Sequence, residues 1–287
     1  VHTWEEKVLS LPDIGLTLTL GEVIRYHEAE IWPYAEASHG WSGLRLILPA
    51  LPPARIELTR KATIIPDSRP EFYDFDLFNQ PGQDPSIDNR LLTELTYTVF
   101  DTETTGLDPR GGDEIISIGA VRIVNNHLIV DDRFEQLVNP QRPLRWESIQ
   151  IHGIQEDMLR DQPTISTVLP RFHQFAEKTI LVAHNAAFDM RMLQIKEAQT
   201  GIRFINPVLD TMLLSAIVHP AQENHNLMTI SQRLGIDVAG RHTAMGDALA
   251  TANMFLKLIP LLSKKGIHTL QEARAASEKT YFARLRY

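Results

Sequence analysis

An apolar run, Tyr97 to Phe100, ends in Asp101-Thr102-Glu103-Thr104-Thr105-Gly106-Leu107. On a strand, side chains two residues apart point to the same face, so the carboxylates of Asp101 and Glu103 lie side by side. Like charges that close are unfavourable unless something positive sits between them. The chain therefore has to fold so that this strand end meets a cation, with further ligands brought from elsewhere. Ligands that are all oxygen suit Mg²⁺ or Mn²⁺.

Two other blocks supply those ligands. Val182-Ala183-His184-Asn185-Ala186-Ala187-Phe188-Asp189 reads as an apolar strand running into a helix, with Asp189 in its first turns. His242-Thr243-Ala244-Met245-Gly246-Asp247 leads into a long helix. Asp101, Glu103, Asp189 and Asp247 with His242 make a donor set for two divalent ions about 4 Å apart, which stabilise the attacking and leaving oxygens of an in-line displacement. A neutral imidazole, with a reference pKa of about 6.5, accepts the proton of an attacking water at neutral pH.

From Leu95 onward the texture is α/β. Strands are expected at Tyr97–Asp101, Ile115–Val124, Phe134–Val138 and Ile180–Ala183. Helices are expected over Pro163 to Ala176 (bent or divided at Pro170), Asn185 to Thr200, Leu209 to Val218, Met228 to Leu234, Ala244 to Leu258 and Leu270 to Lys279. This order implies a mixed central sheet flanked by helices. Residues 1–65 read as a small α+β segment, with a helix at Leu16 to Tyr26 and strands at Leu44 to Leu48 and Arg55 to Ile65. Residues 66–94 form an acidic, Pro-rich linker. Its aromatic motif Phe72-Tyr73-Asp74-Phe75-Asp76-Leu77-Phe78 is expected to dock on the neighbouring domain or to bind a partner. That domain is expected over 95–265, with a C-terminal helix and tail over 266–287.

The three acidic blocks resemble the motifs of the DEDDh (DnaQ-like) 3′–5′ exonucleases, the family of the proofreading epsilon subunit of bacterial DNA polymerase III. The resemblance spans about Leu95 to Leu262, and three motifs in the right order, each in a strand or helix context, are specific. Histidine five residues before the last aspartate marks the "h" branch. The resemblance implies a ribonuclease H-like fold and release of 5′-mononucleotides. It implies that Asp101 bridges both ions, Glu103 and Asp247 hold the ion of the nucleophilic water, Asp189 supports the second ion, and His242 is the general base. Thr102, Thr104, Gly106 and Leu107 would contact the terminal nucleotide, and Asn185 and Phe188 would line the strand path. Ile151-His152-Gly153-Ile154 looks like the family's helical turn near the bound 3′ end, which leaves His152 open between substrate contact and helix packing.

Composition narrows the class. The chain has 287 residues, 43% hydrophobic and 22% charged, with no cysteine. Disulfides, thiolate metal sites and cysteine nucleophiles are excluded, and His219 with His225 lacks a third ligand for zinc. No apolar run reaches the roughly 18 residues of a membrane span, and no signal peptide is visible, so a cytoplasmic location is expected. The first residue is Val1, which fits a piece of a longer protein. The net charge of −8 is uneven: residues 1–94 hold 8 Lys/Arg against 15 Asp/Glu, and residues 95–287 hold 20 against 21. With the four proposed metal ligands set aside, the second segment is slightly basic, which suits a grip on a strand end but not a coat along duplex.

The expected activity is a 3′–5′ exonuclease on single-stranded or frayed DNA 3′ ends, in repair or proofreading, with a polymerase or regulatory protein as partner. A 3′–5′ exoribonuclease would carry the same metal site and differ in its sugar pocket. A module that binds nucleic-acid ends without cutting is the non-enzymatic alternative. Leu20 to Pro49 also resembles the last helix and strands of a histidine-kinase ATP-binding domain; no glycine-rich ATP lid accompanies it, and no ATP site is assigned.

Overall fold

The computed structural model describes residues 7–11, 16–22, 30–36, 41–47, 75–78 and 82–280. They fall into two compact units, Val1–Ile64 and Ile65–Tyr287. In the first unit β1 (Val8–Leu11) pairs antiparallel with β2 (Leu16–Thr19), and β3 (Glu30–Glu36) with β4 (Trp41–Ile47). The expected helix from Leu16 is corrected here. Leu16-Thr17-Leu18-Thr19 alternates with period two, which suits a strand, and the helical turn starts only at Leu20. Thr19 makes the switch: Glu22 N donates to its hydroxyl (3.2 Å) while Thr19 N donates to the Glu22 carboxylate (2.7 Å), a reciprocal cap. The strand expected at Arg55 to Ile65 lies outside the described residues.

The second unit is built on a five-stranded sheet in the order β7-β6-β5-β8-β9. Its strands are β5 (Thr96–Thr104), β6 (Ile115–Val124), β7 (His127–Leu137), β8 (Ile180–Ala183) and β9 (Val208–Asp210). β5, β6 and β7 run antiparallel, and β8 and β9 continue parallel to β5. Around the sheet lie α1 (Phe75–Phe78), α2 (Trp146–His152), α3 (Glu156–Leu159), α4 (Ile165–Ala176), α5 (Ala186–Gln194), α6 (Glu197–Thr200), α7 (Thr211–Val218), α8 (Leu227–Leu234), α9 (Ala244–Ser263) and α10 (Leu270–Ser277).

Strand alternation sorts the core into two layers. Phe100, Ile118 and Ala120 pack with Phe172 of α4 and Met192 of α5. Tyr97, Val99, Val121 and Ile123 pack with Leu214 of α7 and Phe255 and Leu258 of α9. By length and composition α9 could cross a membrane, unlike any stretch expected from the sequence, but 67% of its most apolar window is buried inside the fold.

Several element boundaries differ from expectation. β7 starts at His127, seven residues early, because Asn125 and Asn126 both take positive φ and close a tight hairpin. α4 runs unbroken through Pro170; its buried Val168, Leu169 and Phe172 hold it to the sheet against the lost backbone bond. The apolar run at Leu209 begins as strand β9, and Asp210 starts α7 by accepting from Met212 N at 2.8 Å, an N-cap. The helix from Asn185 divides into α5 and α6.

The segment ahead of β5 is sewn to the far end of the unit. Phe78 is buried in the α5-side core. Leu91 bridges Thr269, Leu92 N donates to His268 O (2.8 Å) and Gln271 N to Asp88 O (2.9 Å). Arg274 of α10 completes the seam by bonding Asp88 (3.1 Å), while Leu92 and Leu270 are buried in the α9-side core.

Candidate active site

Asp101 and Glu103 lie at the C-terminal end of β5 on its α9 face, 6% and 7% exposed. Asp101 pairs across the ladder with Gly119 of β6. A Cβ at Gly119 would overlap the backbone of Ala244 and Met245, so the missing side chain lets the start of α9 lie directly on the sheet. The first turn of α9 is fixed from the other side as well. Thr243 caps it by accepting from Gly246 N at 3.1 Å and donates to Gly240 O at 2.7 Å. A Cβ at Gly246 would overlap Gly240 O. The result carries Asp247 to the strand end: one ligand oxygen from each of Asp101, Glu103 and Asp247 falls within 4.8 Å of the others. Three carboxylates this close, presenting only oxygen, fit a hard divalent cation such as Mg²⁺ or Mn²⁺. Among the described residues no other His, Asp or Glu group has this geometry.

Asp189 arrives from the opposite layer and is not in that group of three. It is 0% exposed, and its Oδ1 accepts from Thr102 N (3.1 Å) and Thr102 Oγ1 (2.6 Å). Both donors of Thr102, expected beside the terminal nucleotide, therefore serve Asp189. Thr104 likewise turns inward, donating to Gly106 O at 2.7 Å. Phe188 is 0% exposed within the α5-side core, so its ring packs the helix and does not line a surface path. Leu107 packs at the edge of the same core. A Cβ at Gly106 would collide with the Asp113 carboxylate. Asp113, fully buried, organises the loop after Glu103 by accepting from Thr105 Oγ1 (3.0 Å) and Asp108 N (2.9 Å) and by pairing with Arg145 (3.3 Å).

α5 begins at a left-handed elbow. Asn185 has φ 58°, ψ 50° and gives the helix no side-chain cap. The cap comes from Asp210 at the end of the neighbouring strand. Its carboxylate accepts from Asn185 N (3.1 Å), Ala186 N (2.9 Å) and Met212 N (2.8 Å). Burial pushes the Asp210 carboxyl up to about 7; the three amides pull it down, and the charge of Asp189 adds to the rise. His184 Nδ1 meets Thr211 Oγ1 at 2.9 Å, shaping the same elbow.

His242 also has a left-handed backbone, φ 59°, a region histidine enters more readily than most non-glycine residues. His152 lies near enough for the charge of His242 to affect it. Its Nδ1 accepts from Ile154 N (3.0 Å) and its Nε2 meets Ser148 Oγ (2.7 Å), which in turn donates to Thr104 O (2.8 Å). Both ring nitrogens are engaged, so His152 ties α2 to the end of β5. Burial, then His242, pushes its pKa down to about 4, and it is neutral at physiological pH. His225 bonds Ser215 and Gln222 O and joins no metal-binding group.

Sequence reading missed Gly119, Asp113, Ser148 and Asp210. Gly119 left a signal, a glycine inside an apolar strand run; the other three are ordinary polar residues until the fold brings their partners.

The RNase_T exonuclease family model matches residues 98–255, more than half of the chain. A DNA polymerase III subunit epsilon-like protein of Rhodobacter capsulatus is 45% identical over 262 residues, which cover 90% of this chain and 36% of that protein. The PolC-type DNA polymerase III of Bacillus subtilis is 40% identical over 181 residues, 62% of this chain and 12% of that one. The chain thus spans well under half the length of these relatives. Among solved structures, exonuclease X in complex with 5′ overhanging duplex DNA aligns with TM-score 0.51 and 26% identity over 63% of this chain and 99% of that one. The nuclease domain of 3′hExo, a DEDDh family member bound to rAMP, aligns with TM-score 0.52 and 19% identity over 62% and 95%, and shares the fold. This chain has the mixed sheet and flanking helices of the ribonuclease H-like fold, and it belongs to the RNase_T exonuclease family, as its DEDDh (DnaQ-like) motifs implied.

Proposed function

We propose that the chain is a divalent-metal-dependent 3′–5′ exonuclease that removes 5′-mononucleotides from DNA ends, in proofreading or repair, alongside a polymerase or regulatory protein. The observation that carries this reading is the convergence of Asp101, Glu103 and Asp247 within 4.8 Å. Two Mg²⁺ or Mn²⁺ ions held there would supply positive charge against the charge developing on the phosphate. Asp101, Glu103 and Asp247 would hold such ions, and Asp189, oriented by Thr102, would support them. His242, half-buried just ahead of α9, would accept the proton of the attacking water. Asn185 and the loop at Gly106 and Leu107 border the place of the terminal nucleotide. DNA is favoured over RNA because the relatives that match most of the unit are DNA polymerase III proteins.

The test compares single-stranded DNA and RNA oligomers labelled at the 5′ end, with Mg²⁺, Mn²⁺ or chelator. Stepwise shortening of DNA from the 3′ end, lost in chelator, is expected. Preferential shortening of RNA would replace the substrate, and no shortening of either would favour end-binding without cutting. Asp247→Ala should abolish activity with little change in melting temperature, because the carboxylate serves a metal and not the core.

A further inference from the structure

We infer that Asp210 is a positioning residue for catalysis, which aims Asp189 at the metal site by clamping the elbow from which α5 departs; the inference rests on the metal-site reading above. Asp189 is the fourth residue of α5, so the direction of its carboxylate depends on how that helix starts. The start is a left-handed asparagine that gives the helix no side-chain cap, a conformation asparagine enters more readily than most residues and that does not by itself fix the helix direction. It is bound by the carboxylate at the end of the adjacent parallel strand, Asp210, paired in register with Ala183. Asp210, 1% exposed, takes the amides of Asn185 and Ala186 at the head of α5, and the amide of Met212 at the head of α7. A single group thus caps two helices, and His184 with Thr211 closes the same joint beside it. At its far side Asp189 is gripped by Thr102. The carboxylate of Asp189 is therefore fixed between a strand and a joint, and Asp210 is the pin of that joint.

A partner behind a metal ligand is typically worth 10- to 100-fold in metal affinity or activity. Asp210→Asn cannot accept three amides, since its nitrogen faces N–H groups. In the full chain it should raise the Mn²⁺ concentration for half-saturation about tenfold, read by calorimetry without substrate, and lower kcat by about 10- to 100-fold with KM on a DNA oligomer little changed. Asp210→Ser, smaller and still able to accept one bond, serves if the asparagine variant does not fold, and should fall between. In an Asp189→Asn background the Asp210 substitution should add nothing to the Mn²⁺ shift. A folded Asp210 variant with a lower melting temperature but native Mn²⁺ binding and kcat would overturn the inference, as would an equal Mn²⁺ shift with and without Asp189. Asp101→Ala separates the two readings. If it binds Mn²⁺ like the parent, the metal site itself is wrong and this inference falls with it; if it loses Mn²⁺ while Asp210 variants keep it, only this inference falls.

Discussion

On the α9 face of the sheet, Asp247 reaches Asp101 and Glu103 because a side chain is missing: Gly119 lets the head of α9 rest on β6. On the α5 face, Asp189 reaches β5 because it is held, by two donors from Thr102 at one end of the helix start and by Asp210 at the other. The first arrangement is steric. Backbone meets backbone, and there is little give. The second is polar and built from separate hydrogen bonds, each worth about 1.5 to 3 kcal/mol when a charged group is involved. The carboxylates on the sterically set face are the ones whose oxygens converge within 4.8 Å. The one placed by hydrogen bonds stands outside that group. Close approach sets the rigid core of the site, and a hydrogen-bonded arm adjusts its edge.

The comparison can be broken or sharpened by substitution. The largest effect is expected on the α9 side, from His242→Ala, which should lower kcat by about 10² to 10⁴ and remove the acidic limb of the pH–rate profile. An unchanged profile takes His242 out of the chemistry. Gly119→Val should come next. Pushing α9 off the sheet displaces Asp247, and a shift of about 1 Å can cost on the order of 10²-fold; added metal should not restore the rate. On the α5 side, Thr102→Val removes one donor to Asp189 and keeps the backbone N–H. Its loss should be about tenfold to a hundredfold, and raised Mn²⁺ should recover most of it. If Gly119→Val were rescued by metal and Thr102→Val were not, the assignment of rigid and adjustable faces would be reversed.

The smallest effect concerns His152. Its folded pKa lies below the ordinary 6.5, at about 4, so the neutral ring is the form the fold prefers. Its contribution to stability is complete above pH about 6.5 and is lost as pH falls toward 4. His152→Gln should flatten the decline of melting temperature across that window. A decline as steep as in the parent would show that the α2 tether is not the acid-sensitive joint.

What the sequence showed and concealed follows the same division. Asp101, Glu103 and Asp247 were legible because carboxylates at a strand end and a helix head make sense only together. The sheet was legible where apolar runs were bounded by polar ones, as in β6 and β8, whose limits match expectation residue for residue. Leu209 was read as helix because β9 is three residues long and runs straight into α7, too short for periodicity to separate the two. The bond from Thr102 to Asp189 was not legible, because a position in the motif says nothing of which atoms a side chain's donors meet. Asp210 was invisible: no local pattern announces that an aspartate will cap a helix that precedes it by two dozen residues.

The seam joining residues 88–92 to 268–274 has a practical meaning for anyone who would transplant this unit. Its ends are fastened to each other like the two halves of a clasp, so a piece cut to the acidic motifs alone would take Leu92, Leu270 and Ala273 out of the α9-side core. The portable unit starts upstream of Gln83 and finishes beyond Arg274, whose side chains clasp hands at 2.9 Å.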